Sequence, residues 1–265
     1  MKSKISHPNK SATSFTKEAN LSVYESLNFE DQQDFIDAKR GFIAPLESST
    51  IKNQSGEVVW DINQLEFLYD TAPETVNPSL WRNAQLQAIS GLFEVVEGVY
   101  QVRGQSIATT FFFEGKQGVI VCDTSASTET AKAAMELYYK HRPRKPVSAI
   151  IISQSHADHF GGIQAVLKYA GDPAVPIIVP QHFTKEALSE NVLLGTIMAR
   201  RAEYQFGKNI PDGRTGSVSI GIRSTMSSGT MSFALPTFEI ENEVHTMEID
   251  GVTFKFLLTP NTEAP

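Results

Sequence analysis

Two imidazoles and a carboxylate fall within four positions in IIISQSHADHFGG, residues 150–162, where His156, Asp158 and His159 precede a glycine pair. Imidazole nitrogen and carboxylate oxygen are the donors that zinc and similar divalent ions take, and an ion so held acidifies a bound water. The apolar run VSAIIIS reads as a buried strand that delivers this loop, and the helix after Gly161 closes it. Strand alternation aims Gln154 and His156 to one side, whereas the turn sends Asp158 and His159 to another, so one loop can address two neighbouring metals. The plainer reading is a polar loop whose histidines and Asp cap the following helix. The strand–loop–GG–helix order favours the metal.

Other polar residues are read beside this loop. Asp123 ends the strand GVIVC and is either a turn residue or a partner that orients the metal loop from behind. Cys122 is a core thiol, and as the sole cysteine of the chain it allows no internal disulfide. His141, in the basic connection HRPRK, reads as solvated. His182 and His245 read as structural, the first as a helix cap and the second as part of a hairpin. Arg200, Arg201 and Tyr204 share a helix and are weak candidates for binding an anionic head group.

The elements that must position these residues follow from the pattern. Residues 1–27, polar and rich in Ser, Lys and Asn, are expected to be a mobile arm, and residues 28–265 a single domain. DFIDAKRGFI predicts a helix ending near Gly41, VVWD a strand, and PSLWRNAQLQ a helix opened by Pro78. From Val95 on, VVEGVYQVRG, ATTFFFEG and GVIVCDT form a β-meander. Ser127 caps the helix STETAKAAMELYYKH. The strand VSAIIIS, the helix GGIQAVLKYAG and the strand VPIIVP follow. KEALSENVLLGTIMARRAEYQFG predicts one long helix, residues 207–230 a loop, and the last stretch a hairpin around Asp250-Gly251. Meander then strand–helix–strand–helix is an α/β order with helices on one face of a sheet. A second sheet for the other face is not supplied before Pro265.

With 30 acidic and 23 basic side chains, the formal net charge of −7 offers no basic stripe for nucleic acid. No run reaches the ~18 apolar residues of a membrane span, and no apolar region follows the basic N-terminus as in a secretory signal. The reading is a cytoplasmic protein.

The motif loop, together with TVNPSLWRNAQ, GLFEVVEGVYQVRG, SENVLLGTIMARRAEYQFG and the terminal TPNTEAP, resembles the alkylsulfatase family of the metallo-β-lactamase superfamily. The resemblance runs from about Asn28 to the last residue. It implies an αβ/βα sandwich with its second half incomplete, and zinc-dependent hydrolysis of alkyl sulfates such as dodecyl sulfate. By this resemblance His156 is a ligand of a first zinc, and Asp158 and His159 are ligands of a second. Asp158 also orients the attacking water, and Glu263 is a carboxylate that helps hold the pair. Asp123 then takes the supporting role behind the loop.

Two departures are expected to impair activity. Gln154 stands where the family motif has its first histidine, and a neutral amide is a poorer zinc ligand. The family's further ligands, sulfate-binding residues and dimerisation domain lie beyond TEAP. One zinc or fewer is therefore expected here against two in the family, whose full-length members form homodimers. The alternative expectation is a truncated, catalytically silent relative that acts as a remnant or binding module.

Overall fold

The computed structural model describes residues 10–222, 226–260 and 262. The chain opens with α1 (Ser14–Ser26) and α2 (Gln33–Lys39), then β1 (Phe42–Ala44), β2 (Thr50–Lys52) and β3 (Val58–Asp61). A 3-10 helix (Ile62–Tyr69) leads to α3 (Pro78–Gln87), which Asn77 caps by accepting from the Ser79 N–H. The meander comprises β4 (Gly91–Val96), β5 (Val99–Arg103), β6 (Thr110–Glu114) and β7 (Val119–Cys122). Next come α4 (Thr128–His141), β8 (Val147–Ile151), α5 (Ala157–Phe160), α6 (Ile163–Leu167) and β9 (Ile177–Pro180). After α7 (Phe183–Leu188) and a π-helical turn (Ser189–Leu193) stand α8 (Gly195–Gln205), β10 (Phe238–Ile240), β11 (Val244–Ile249) and β12 (Val252–Leu257).

Eight strands make one mixed sheet in the order β1-β4-β5-β6-β7-β8-β9-β10. The meander half is antiparallel, and pairing turns parallel at β7–β8 and stays so to β10. Strand alternation splits the core in two. Val119, Val121 and Ile150 face α4 and α6, where Ala134, Met135, Tyr138, Ile163 and Val166 cover them. Ile120, Ala149 and Ile151 face the other way and meet Ile249, Met247, Phe254 and Phe256 of the last hairpin. That hairpin turns at Asp250-Gly251, both with positive φ, the geometry a tight two-residue turn demands. Asp250 is also a tether. Its carboxylate accepts the N–H groups of Gln117 and Gly118, at 3.0 and 2.6 Å, pinning the hairpin to the β6–β7 turn. The second face of the sheet, expected to lack a partner, is therefore covered in part by the β11–β12 ribbon.

Two further expectations need correction. The stretch read as a polar arm contains α1, whose Thr13 cap accepts from Thr16 N–H. Tertiary contacts outweigh its polar composition: Lys17 pairs with Glu74 at 2.5 Å, and Asn20 donates to the Glu74 carbonyl. The helix expected to run unbroken over 185–207 is interrupted by the π-helical turn, where Leu194 N–H reaches back to Ser189 O and Asn191 donates to Ala187 O. An Asn side chain bonding its own helix backbone and a Gly at 195 weaken a regular helix.

Candidate metal centre

The loop of interest leaves β8 at its carboxyl end, beside β7, where the sheet changes from antiparallel to parallel. Open α/β sheets present their ligands outside the carboxyl ends of their strands. Asp123 follows β7 in the left-handed region, φ 60°, which Asp tolerates better than most residues. Its backbone N–H donates to Ile151 O at 2.9 Å. Its buried carboxylate then accepts three times. Oδ1 takes Ser153 N–H at 2.8 Å, and Oδ2 takes the Ser153 hydroxyl at 2.8 Å and His159 Nδ1–H at 2.7 Å. The base of the loop is thus fixed by a single side chain.

The other end is fixed by close packing. Thr124 N–H donates to His159 O at 2.7 Å. A Cβ on Gly161 would lie 2.2 Å from Ala126 O, and one on Gly162 only 2.0 Å from Thr124 O. The glycine pair is needed for this approach of backbone to backbone. From the far side, both the N–H and the hydroxyl of Ser232 donate to Gly161 O at 2.7 Å. The Phe233 ring packs on Phe160 and stacks on Phe183. Thr230 donates twice to Glu129 in the first turn of α4. Residues 228–233 act as a strap over the loop, starting at the end of the Gly/Ser-rich stretch 207–230 and running past it.

His159 is the centre of the arrangement. With Nδ1 held by Asp123, its Nε2 points to Asp158 Oδ2 at 3.3 Å and to the Gln154 amide nitrogen at 2.7 Å. Burial works against a charge on this imidazole, but hydrogen bonds to Asp123 and Asp158 outweigh it and raise its pKa to about 10. Burial likewise opposes ionisation of Asp158, and the His159 hydrogen bond and charge overcome it to leave the carboxyl below its ordinary range. The neutral imidazole accepts from the Gln154 amide as placed. The protonated one requires that amide to be turned so that its oxygen faces Nε2.

Of the residues singled out in the sequence, Gln154, Asp158 and His159 come together. Gln154 joins His159 and not His156, contrary to simple strand alternation, because the chain leaves the strand at Ile151 and bends before Gln154. His156 faces Glu190 of the π-helical turn, Nε2 to Oε2 3.9 Å. Glu190 was missed by sequence reasoning, because it sits between Ser189 and Asn191 in a stretch that reads as the polar face of a helix. Arg200, Arg201 and Tyr204 are exposed on α8. Glu263 lies outside the described residues. Cys122 is half-buried, and desolvation pushes its thiol pKa well up, and His245 sits between Phe238 and Phe256. His182 precedes α7 with φ 66° and makes no side-chain cap.

Among the described residues no group of three or more His, Cys, Asp and Glu closes into a cage for a metal ion. The donor chemistry nonetheless fits a divalent ion at one seat. His159 Nε2 and Asp158 Oδ2 converge, the Gln154 amide adjoins them, and a carboxylate behind Nδ1 fixes the tautomer that leaves Nε2 free, as metal-bound histidines usually require.

Comparison with known proteins adds to this geometry. Residues 103–256 match the family described as the metallo-beta-lactamase superfamily. The chain is 45% identical to a linear primary-alkylsulfatase from Pseudomonas sp. over 97% of its own length and 39% of that protein's. It is 44% identical to an alkyl/aryl-sulfatase from Saccharomyces cerevisiae, covering 96% of this chain and 41% of the relative. Among solved structures, the stereoselective inverting sec-alkylsulfatase Pisa1 from Pseudomonas sp. superimposes with a TM-score of 0.90 at 43% identity, over 97% of this chain and 41% of that one. The chain spans about two fifths of the length of these relatives.

Proposed function

The chain belongs to the metallo-beta-lactamase superfamily, and on that premise we propose that its chemistry is zinc-dependent hydrolysis of primary alkyl sulfate esters such as dodecyl sulfate. The observation that carries the reading is His159 clamped by Asp123 with Nε2 directed at Asp158, in a chain 44–45% identical to alkylsulfatases. Residues 28–265 are taken as one catalytic domain. A cytoplasmic, homodimeric setting belongs to the same proposal.

Zinc supplies an acidified water and positive charge against the sulfate oxygens. His159 and Asp158 would hold the ion, Glu263 and a weak Gln154 contribution would add to it by the family resemblance, and His156 would belong to a neighbouring seat. Asp158 would be the catalytic residue: its Oδ2 lies 3.3 Å from His159 Nε2, at the seat where it could accept a hydrogen bond from the water and orient it. Asp123 positions His159. Gln154 offers a neutral amide where an imidazole would bind more tightly, so one ion or fewer per chain and slow turnover are expected.

The second reading is a catalytically silent relative, and Gln154 directed at His159 is what favours it. Sulfate release from dodecyl sulfate, measured with and without chelator, separates the two. The proposal expects slow, chelator-sensitive release that rises in Gln154→His. Zinc binding without sulfate release in either protein would establish the silent reading.

A further inference from the structure

Both histidines of the motif loop have a carboxylate beside them, each from a different element. Asp123, after β7, holds Nδ1 of His159 at 2.7 Å. Glu190, in the π-helical turn, faces the other ring nitrogen of His156, with Nε2 and Oε2 3.9 Å apart and both side chains half-buried. His156 stands at the N-cap of α5 with an extended backbone, yet its side chain makes no capping bond. The ring is therefore not engaged by its own helix.

Core packing sets this meeting. Phe160, at the end of α5, packs edge to face on Phe183, at the start of α7, with ring centroids 5.5 Å apart. Both rings are buried, as is Ala187 one turn further along α7. The two helices fix each other through these side chains, and with them the stems of His156 and Glu190. Beyond Ala187 the helix widens. Leu194 N–H reaches Ser189 O, five residues back, and Asn191 donates to Ala187 O. The added residue changes which side chains share a face with α7, and Glu190 is one of those it re-aims. Single π-helical turns are found disproportionately at functional sites.

A carboxylate on one imidazole nitrogen keeps the proton there and leaves the lone pair on the other, and metal-bound histidines are ordinarily oriented in this way. The Glu190–His156 contact is about 1 Å longer than a charge-assisted hydrogen bond, a gap that rotation about the side-chain torsions of Glu190 can close. We propose, on the metal reading of this loop given above, that Glu190 is the positioning residue of His156. It holds Nε2 of His156 as Asp123 holds Nδ1 of His159, and so fixes the imidazole of the neighbouring seat. Each histidine of the loop then has its own carboxylate, one behind the sheet and one carried by the π-helical turn.

The test uses the full chain carrying Gln154→His, which completes the imidazole pair of that seat, and reads zinc affinity by titration calorimetry. Glu190→Leu removes the acceptor, whereas Glu190→Gln keeps a neutral one. Each is made alone and together with His156→Ala. Glu186→Gln, an exposed site of α7 with the same change of charge, is the control. Glu190→Leu should weaken zinc at the seat by about 10–100-fold and Glu190→Gln by less, with the control unchanged. Both losses should vanish in the His156→Ala background, because Glu190 acts through that ring. A second readout needs no zinc. Long-range proton–nitrogen NMR of the metal-free protein, at about pH 8 and above the ordinary imidazole range, should show a persistent Nε2 proton on His156 that exchange broadens away in Glu190→Leu. No loss of affinity in either Glu190 variant overturns the proposal. So does an equal loss in the His156→Ala background, which would make Glu190 a ligand or a general source of negative charge. If His156→Ala itself leaves zinc affinity unchanged while the Nε2 proton still depends on Glu190, the metal reading of His156 fails and the positioning contact stands.

Discussion

Replacing Asp123 by Asn should separate metal binding from folding. Asn also tolerates the left-handed backbone at φ 60°, and its side chain has the same shape, so Ser153 N–H keeps an oxygen acceptor. What changes is the atom facing His159. An amide NH2 in place of Oδ2 cannot accept from Nδ1–H, so the imidazole proton moves to Nε2, the nitrogen that must carry the lone pair for zinc. One charge-assisted hydrogen bond is lost, costing about 1.5–3 kcal/mol, and the melting temperature falls by roughly 3–10 °C at this chain size. Zinc affinity should fall by about 10–100-fold. Asp123→Ala should be worse in stability alone, because it leaves Ser153 N–H without its acceptor and puts a Cβ residue at positive φ with no local hydrogen bond. Competition against a chromogenic chelator reads the affinity, and thermal melts of the metal-free proteins read stability. Asp123→Asn with a lowered melting temperature but parental zinc affinity would refute the argument and reduce Asp123 to a structural turn residue.

Gln154→His should raise zinc affinity and His159→Ala should lower it in the same chelator titration, and no change in either would place the metal elsewhere. Gly162→Ala forces a Cβ to within 2.0 Å of a backbone oxygen and should cost at least about 1–3 kcal/mol in thermal unfolding. A loss below about 0.5 kcal/mol would show that the loop can move aside. Glu114, hydrogen-bonded to Arg142 through both oxygens, has a carboxyl held below its ordinary range by that bond. Its folded pKa is depressed, so its contribution is full at neutral pH and disappears as pH falls through the lowered value. Acid unfolding of Glu114→Gln should accordingly show a shallower loss of stability below about pH 4.5 than the parent.

Local chemistry explains which parts of this molecule could be read from the sequence. Ser127 caps α4, Pro78 sits in the first turn of α3, and Asp250-Gly251 makes the hairpin turn, each set by a few adjacent residues. The loop with His156, Asp158 and His159 was legible because it joins a strand to a glycine pair. The partners of that loop were not. Asp123 is 36 positions before His159, Ser232 is 71 after Gly161, and Glu190 meets His156 only because a π-helical turn interrupts what composition presents as one long helix. Gln154 moved to the His159 side for the same reason, since alternation holds only as far as the strand does.

The strap has a consequence for the order of events during folding. Its anchors are Val59, Glu129 and Gly161, separated from it by 169, 101 and 71 positions. Closing loops of such length costs entropy before any contact repays it, and contacts of high sequence separation form slowly. The β7–α4–β8 unit needs only local pairing and can assemble first, carrying His156, Asp158 and His159 on a loop with one free end. Only when Ser232 and Phe233 arrive does Gly161 O acquire its donors and Phe160 a second aromatic neighbour beside Phe183. A ribosome-bound chain that has emerged only to residue 228 would hold every motif residue of the loop and still lack the clasp that sets their spacing.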